Sequence, residues 1–75
     1  MNLEPKKSWI VASDVSSRDG IGIELLVDDQ IVLEIFRDDT RKTRAVTFHQ
    51  KDIPLALVEE SIEKFKKEIP WGFLD

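Results

Sequence analysis

The sequence predicts an α+β fold, a four-stranded antiparallel β-meander with one C-terminal α-helix packed on one face. Three observations predict it. Apolar residues recur at every second position within the segments 21–27, 31–35 and 46–48, they recur at helical spacing after residue 52, and turn-forming residues separate these segments. A chain of 75 residues buries only about 60% of the surface that its unfolded form exposes. We therefore expect a single domain over residues 1–75 with a thin core.

The chain divides into four segments: a loose arm (1–7), the β-meander (8–49), the helix (53–69) and an apolar tail (70–75). The arm is polar and shows no period, which is typical of a poorly ordered terminus. The first strand follows at Trp9 and runs to about Val15, before a turn rich in Ser, Asp and Gly. Both its odd and its even residues are apolar, so the alternation does not decide which set faces the core. The core-facing residues are either Trp9 and Val11 or Ile10 and Ala12.

The second and third strands alternate most clearly. We predict that a three-residue loop at residues 28–30, closed by Val27 and Ile31, keeps odd positions opposite odd positions. The core face then carries Ile21, Ile23, Leu25, Val27, Ile31, Leu33 and Ile35. The opposite side of the sheet, named the open face here, carries Glu24, Leu26, Val32, Glu34, Phe36, Ala45, Thr47 and His49.

The fourth strand and the helix complete the predicted core. A four-residue loop at 39–42 places Val46 opposite Ile35 and Phe48 opposite Leu33. Asp52 is the expected N-cap of the helix, with Pro54 in its first turn. One helical stripe should face the sheet, formed by Leu55, Val58, Ile62, Phe65 and Ile69. Pro70 ends the helix, and we expect the tail after it to pack back, the alternative being that it projects as an anchor.

The open face is more apolar than a solvated sheet surface requires, which usually marks an association surface. We expect a protein interface, formed with a second copy in a homodimer or with another protein, at Leu26, Val32, Phe36, Trp71 and Phe73. The alternative is that Trp9, the arm or the tail covers this face.

Composition excludes several classes of function. The net charge of −4, from 11 bases and 15 acids, argues against nucleic acid and anionic membranes as partners. The chain contains no Cys, which excludes disulfides and thiol chemistry and fits a reducing compartment. No apolar segment approaches the roughly 20 residues of a membrane span, and the N-terminal residues lack the pattern of a signal peptide. We expect a cytoplasmic protein.

No motif in the sequence predicts catalysis. His49 is the one residue that ordinarily titrates near neutral pH, and it precedes Asp52 without a nucleophile in a recognisable arrangement. The pairs Asp28–Asp29 and Asp38–Asp39 lie in turns, where Asp is common, and neither continues as a calcium-binding loop. We therefore predict a protein that is not an enzyme, with no catalytic residue, no metal and no cofactor.

A basic hairpin suggests an alternative function. Four bases cluster between the third and fourth strands: Arg37, Arg41, Lys42 and Arg44. Single-strand binders combine such a basic surface with stacking aromatics, and Phe36 lies on the open face. The order of four strands and a helix also resembles the Whirly and transcriptional-coactivator type of single-stranded DNA binder, which implies dimerisation through sheets and helices. Weak binding of single-stranded nucleic acid is the alternative.

A second resemblance concerns the segments 17–24, 35–39, 47–48 and 52–55. Together they look like those of small uncharacterised bacterial stand-alone proteins, some of which are immunity proteins that neutralise a toxin. The resemblance covers residues 17–58 and assigns no functional residue. It implies a small bacterial-type protein that works by binding another protein.

Overall fold

The structure, a computed structural model, describes residues 6–16 and 18–75. Its elements are β1 (Lys7–Asp14), β2 (Gly20–Val27), β3 (Gln30–Asp38), β4 (Thr43–Phe48) and α1 (Leu55–Glu68). The strands form one antiparallel sheet in the order β1-β2-β3-β4, which confirms the predicted α+β meander with a C-terminal helix. Most of the predicted arm, residues 1–5, and Ser17 of the predicted turn lie outside the described residues. Lys7 belongs to β1 rather than to the arm.

The register of β1 settles which of its faces meets the core. Trp9 lies opposite Leu25 and Val11 lies opposite Ile23, so the odd residues of β1 share the helix side. Trp9 packs against the core cluster, and its Nε1–H donates to Ser61 Oγ of α1 at 3.0 Å. Ile10 lies on the open face and is 46% exposed.

The β2–β3 hairpin has a tighter turn than predicted. Asp28 and Asp29 both have positive φ, 50° and 66°, and Val27 pairs directly with Gln30, so the loop has two residues, as in a type I′ turn. A β-bulge at Val32 restores the predicted odd register further along, where Leu25 pairs with Leu33. The bulge turns Val32 into the core, where it is 4% exposed, and leaves Ile31 40% exposed. The predicted sides of these two residues are therefore wrong.

The helix begins later than predicted. Its N-cap is Pro54, without a side-chain hydrogen bond, while Asp52 has a left-handed backbone with φ of 55° and does not cap. Leu55 is 71% exposed because it lies at the very start of α1, so its predicted place in the core is wrong. Phe65 and Ile69 are buried and Val58 and Ile62 half-buried, as the stripe predicts.

The single helix covers three of the four strands. α1 contacts β1, β2 and β3 but, within the described residues, not β4. A helix with its side chains is about 10–12 Å across, whereas four strands spaced by about 4.8 Å span more than that. Val46 and Phe48 have the predicted register, opposite Ile35 and Leu33, and yet lie beyond the reach of the helix.

Candidate functional site

The apolar part of the open face is smaller than predicted because Arg18 covers it. The guanidinium carbon of Arg18 lies 3.8 Å from the centroid of the Phe36 ring, and Phe36 is only 3% exposed. Arg18 also binds Glu34 through both terminal nitrogens, at 2.7 and 3.1 Å. Its Nε donates to Asp14 at 3.2 Å. Phe36 is therefore buried rather than displayed, and the predicted interface residue Leu26, further along the same face, is half-buried.

The charged forms of Asp14 and Arg18 are favoured by the hydrogen bonds that hold Arg18 over Phe36. Hydrogen bonds from the backbone and the hydroxyl of Ser16, and then from Arg18, hold the pKa of Asp14 below its ordinary value. The hydrogen bond to Glu34 is the main cause that raises the pKa of Arg18, against the opposing effect of burial. Arg18 remains charged at every physiological pH and keeps both carboxylates paired.

The basic hairpin binds the protein's own tail. Arg37 is 3% exposed; its Nε donates to Asp39 at 2.9 Å and its Nη1 to the carbonyl of Pro70 at 2.7 Å. Arg44 donates to the carbonyl of Trp71 at 3.2 Å. The ammonium group of Lys42 donates to the carbonyl of Leu74 at 2.8 Å. Three of the four bases in the nucleic-acid alternative thus hold residues 70–74, and Arg41 remains exposed in the turn.

Aromatic contacts complete the docking of the tail. The guanidinium carbon of Arg44 lies 3.8 Å from the Trp71 ring centroid and 4.2 Å from that of Phe73. Trp71 also meets Phe65 of α1 edge to face, with centroids 6.3 Å apart. The tail therefore packs back, although Trp71 keeps 54% of its surface exposed and Phe73 is half-buried. These two predicted interface residues lie at the rim of the core side.

The largest aromatic exposure in the sheet is on β4. Val46 is 41% exposed and Phe48 56%, and both lie on the core side, where α1 does not reach. We name these two residues the β4 shelf. The sequence predicted both residues in the core, because they lie at the positions of β4 whose side chains face the core side of the sheet. The signal that could have revealed the shelf is the mismatch between the width of one helix and the width of four strands.

The backbone of β4 is available beside the shelf. His49 donates its N–H to the carbonyl of Val32 at 2.8 Å, and in an antiparallel register the hydrogen-bonded positions alternate. The odd residues of β4 therefore bond to β3, and the N–H and C=O groups of Arg44, Val46 and Phe48 point outward at the sheet edge. Within residues 6–16 and 18–75, apolar side chains and backbone groups without a partner strand thus coincide on β4.

An apolar cavity of 220 Å³ lies at the end of β4. The segment 50–54, which joins β4 to α1, forms one wall, and Val27, Val32 and Leu57 form the others. The cavity therefore lies past the end of β4, between the segment 50–54 and residues of β2 and β3. Its size and lining suit one apolar side chain from outside.

Comparison of the chain with protein-family models, with curated proteins and with solved structures finds no match. Among the described residues, no helix has the length and apolar character needed to cross a membrane.

Proposed function

We propose that the protein is a non-enzymatic binding module that acts by protein–protein contact, and that the edge and shelf of β4 receive an extended segment of a partner protein. The observation that carries the proposal is the exposure of Val46 and Phe48 on the core side of an edge strand. Such a strand offers main-chain hydrogen bonds for affinity and side-chain contacts for specificity, which is the usual mode of strand addition to a sheet.

The bound segment would extend the sheet by one strand. Its backbone would pair with Arg44, Val46 and Phe48, and every second side chain would lie against the shelf. One further apolar side chain would enter the cavity beyond Phe48. The tail residues Trp71 and Phe73, which Arg44 holds, would flank the other end of the segment.

The charge of β4 selects the kind of partner. Residues 40–51 contain four bases and no acid: Arg41, Lys42, Arg44 and Lys51. Arg41 and Lys51 are exposed beyond the two ends of β4. A segment with apolar residues against the shelf and Asp or Glu near its ends complements this edge, and electrostatic complementarity raises specificity and association rate. An acidic, apolar strand from another protein is therefore the partner class that we propose.

The setting that we propose is the cytoplasm of a bacterial-type cell. Support comes from the absence of Cys, which fits a reducing compartment, and from the small size of the chain. A role of the immunity or regulatory kind, in which one small protein occupies a surface of another, agrees with this proposal. In contrast, three of the four bases of the nucleic-acid alternative are occupied by the tail, which leaves that alternative without a basic groove.

Selection of random linear peptides displayed on phage tests the proposal. Peptides selected on the wild-type protein should carry apolar residues at alternate positions and acidic residues near their ends. Their affinity should fall at least about tenfold, or about 1.4 kcal/mol, for Phe48→Glu, because this change adds a charge to the shelf and repels an acidic segment.

Val15→Glu is the matched control, since Val15 is 83% exposed and lies outside β4. Circular dichroism should show that both variants keep the fold. Equal affinity of the selected peptides for the wild type and Phe48→Glu would exclude the shelf as the binding surface.

A further inference from the structure

The opposite edge of the sheet is also unpaired in the described chain, but its chemistry is different. Asp28 donates its N–H to the carbonyl of Lys6 at 2.8 Å, so the even residues of β1 bond to β2. The backbone groups of Lys7, Trp9, Val11 and Ser13 therefore point outward. Ile10 and Val11 are 46% and 53% exposed, one on each face of the sheet. Residues 8–13 contain neither a charge nor a proline, the devices by which edge strands commonly avoid pairing.

We propose that β1 pairs antiparallel with β1 of a second copy and forms a homodimer with one continuous eight-stranded sheet, four strands from each copy. This inference goes beyond the proposed function, because it uses the other edge. The two-fold axis stands perpendicular to the sheet, so both helices lie on the same side. The axis must then pass between one residue and the same residue of the second copy. Only such registers pair core-side residues of one copy with core-side residues of the other.

The register centred on Ile10 satisfies the largest number of backbone groups. It places Lys7 opposite Ser13 of the second copy and Trp9 opposite Val11 of the second copy. All four outward-pointing residues of each strand are then hydrogen-bonded. Because β1 spans Lys7–Asp14, the neighbouring registers pair fewer residues. A register centred on Val11 places Lys7 opposite residue 15, which lies beyond the end of β1. A register centred on Trp9 leaves Ser13 without a partner in the other strand.

Side chains fit this register on both faces. On the open face, Ile10 meets Ile10 of the second copy across the axis, at the short separation of a non-hydrogen-bonded pair. On the core side, the Trp9 ring lies beside Val11 of the second copy, an aromatic and β-branched pair of the kind that stabilises sheets. The two exposed apolar residues of β1, Ile10 and Val11, thus become covered together.

Charges on α1 also complement each other across the axis. Lys7 binds Glu60 at 2.8 Å, and Lys64 lies 5.3 Å from the Trp9 ring centroid. Lys64 and Glu68 line one cavity with Trp9 and Val11. The distance from Lys7 to Val11 along β1 is about 12–13 Å, and the distance from Glu60 to Glu68 along α1 is about the same. Glu68 therefore lies level with Val11.

Because Trp9 of one copy is opposite Val11 of the other, Lys64 faces Glu68 across the axis, and it does so twice by symmetry. Lys6 and Asp14 lie opposite each other at the ends of the paired strands in the same register. The same pairing at β4, centred on Val46, would instead place Arg41 opposite Lys51 in a segment without acids. Electrostatics therefore favours self-pairing at β1 and opposes it at β4.

A single cysteine tests the geometry, because the chain contains none. Ile10→Cys should form a disulfide-linked dimer under mild oxidation, since the two Cβ atoms meet at the axis within the reach of a disulfide. Thr47→Cys is the matched control: it is exposed on the same open face, but on the opposite edge. It should remain reduced under conditions in which Ile10→Cys is fully cross-linked.

A charge exchange tests the same contact without a covalent bond. By light scattering, the wild type should have twice the mass of one chain. Ile10→Lys and Ile10→Glu should each be monomeric and folded, and their mixture should return to the dimeric mass. Equal cross-linking of Thr47→Cys, a monomeric wild type or a dimeric Ile10→Lys would each overturn the proposal. Ile10→Lys should still bind the peptides selected at β4, so the two proposals fail independently.

Discussion

At the scale of single residues, Gly22 and Arg18 determine the surroundings of Phe36 on the open face. Phe36 of β3 lies opposite Gly22 of β2, and the guanidinium group of Arg18 lies over the Phe36 ring. A Cβ atom on Gly22 would lie 2.2 Å from the carbonyl oxygen of Ile35 and 2.8 Å from the Cα of Phe36. Both of these atoms belong to the backbone of β3, which cannot move without breaking the ladder. The absence of a side chain at Gly22 is thus what allows β2 and β3 to approach here.

Gly22→Ala should therefore destabilise the fold by about 1–3 kcal/mol, the usual cost of forcing extra volume into a packed site. For a chain of this size, each kcal/mol corresponds to a shift of roughly 4–8 °C in the unfolding midpoint. Gly72→Ala is the control, since no atom of the described residues lies within 4 Å of a Cβ there. Thermal unfolding of both variants measures the difference, and similar midpoints would show that β2 and β3 are not so tightly apposed.

At the scale of elements, Asp39 connects the β3–β4 turn to the tail. Burial acts to raise the pKa of this carboxyl, but hydrogen bonds from Arg37 and from the backbone N–H of Leu74 outweigh it and lower the pKa below the ordinary value. The Leu74 N–H donates at 3.1 Å and Arg37 Nε at 2.9 Å. One carboxylate thus holds a buried arginine and the end of the chain together.

This pairing predicts how stability depends on pH. Because the native pKa of Asp39 is depressed, the unfolded chain binds its proton first as the pH falls, and the free energy of unfolding decreases below about pH 4. Above that pH the contribution of Asp39 should be constant. Urea unfolding at a series of pH values should show a smaller acid loss in Asp39→Asn than in the wild type. An identical acid slope in the variant would contradict the role assigned to this carboxylate.

At the scale of the whole molecule, the alternation of apolar residues predicted the sheet order and most of the register. The pairings of Ile35 with Val46 and of Leu33 with Phe48 follow from loop length and parity alone. The sides of Ile31 and Val32 did not follow, because two consecutive residues with positive φ shorten the turn and a bulge compensates. No residue type marks that bulge in advance.

The candidate site was harder to predict than the fold. Parity assigns Val46 and Phe48 to the core side, but exposure depends on how far one helix extends across the sheet, which is a property of the assembled layers. Likewise, the cover over Phe36 comes from Arg18, which lies in a loop and follows no periodic pattern. If both proposals hold, the dimer is joined at β1 and presents a β4 binding edge at each end.

Residue-resolved hydrogen exchange tests the central claim, that β4 is an open edge, most directly. In β4, the amides of Ala45 and Thr47 bond to β3 and should exchange slowly, whereas those of Val46 and Phe48 should exchange fast. Slow exchange at all four amides would mean that another element already pairs with β4, and it would contradict both the shelf and the function proposed for it.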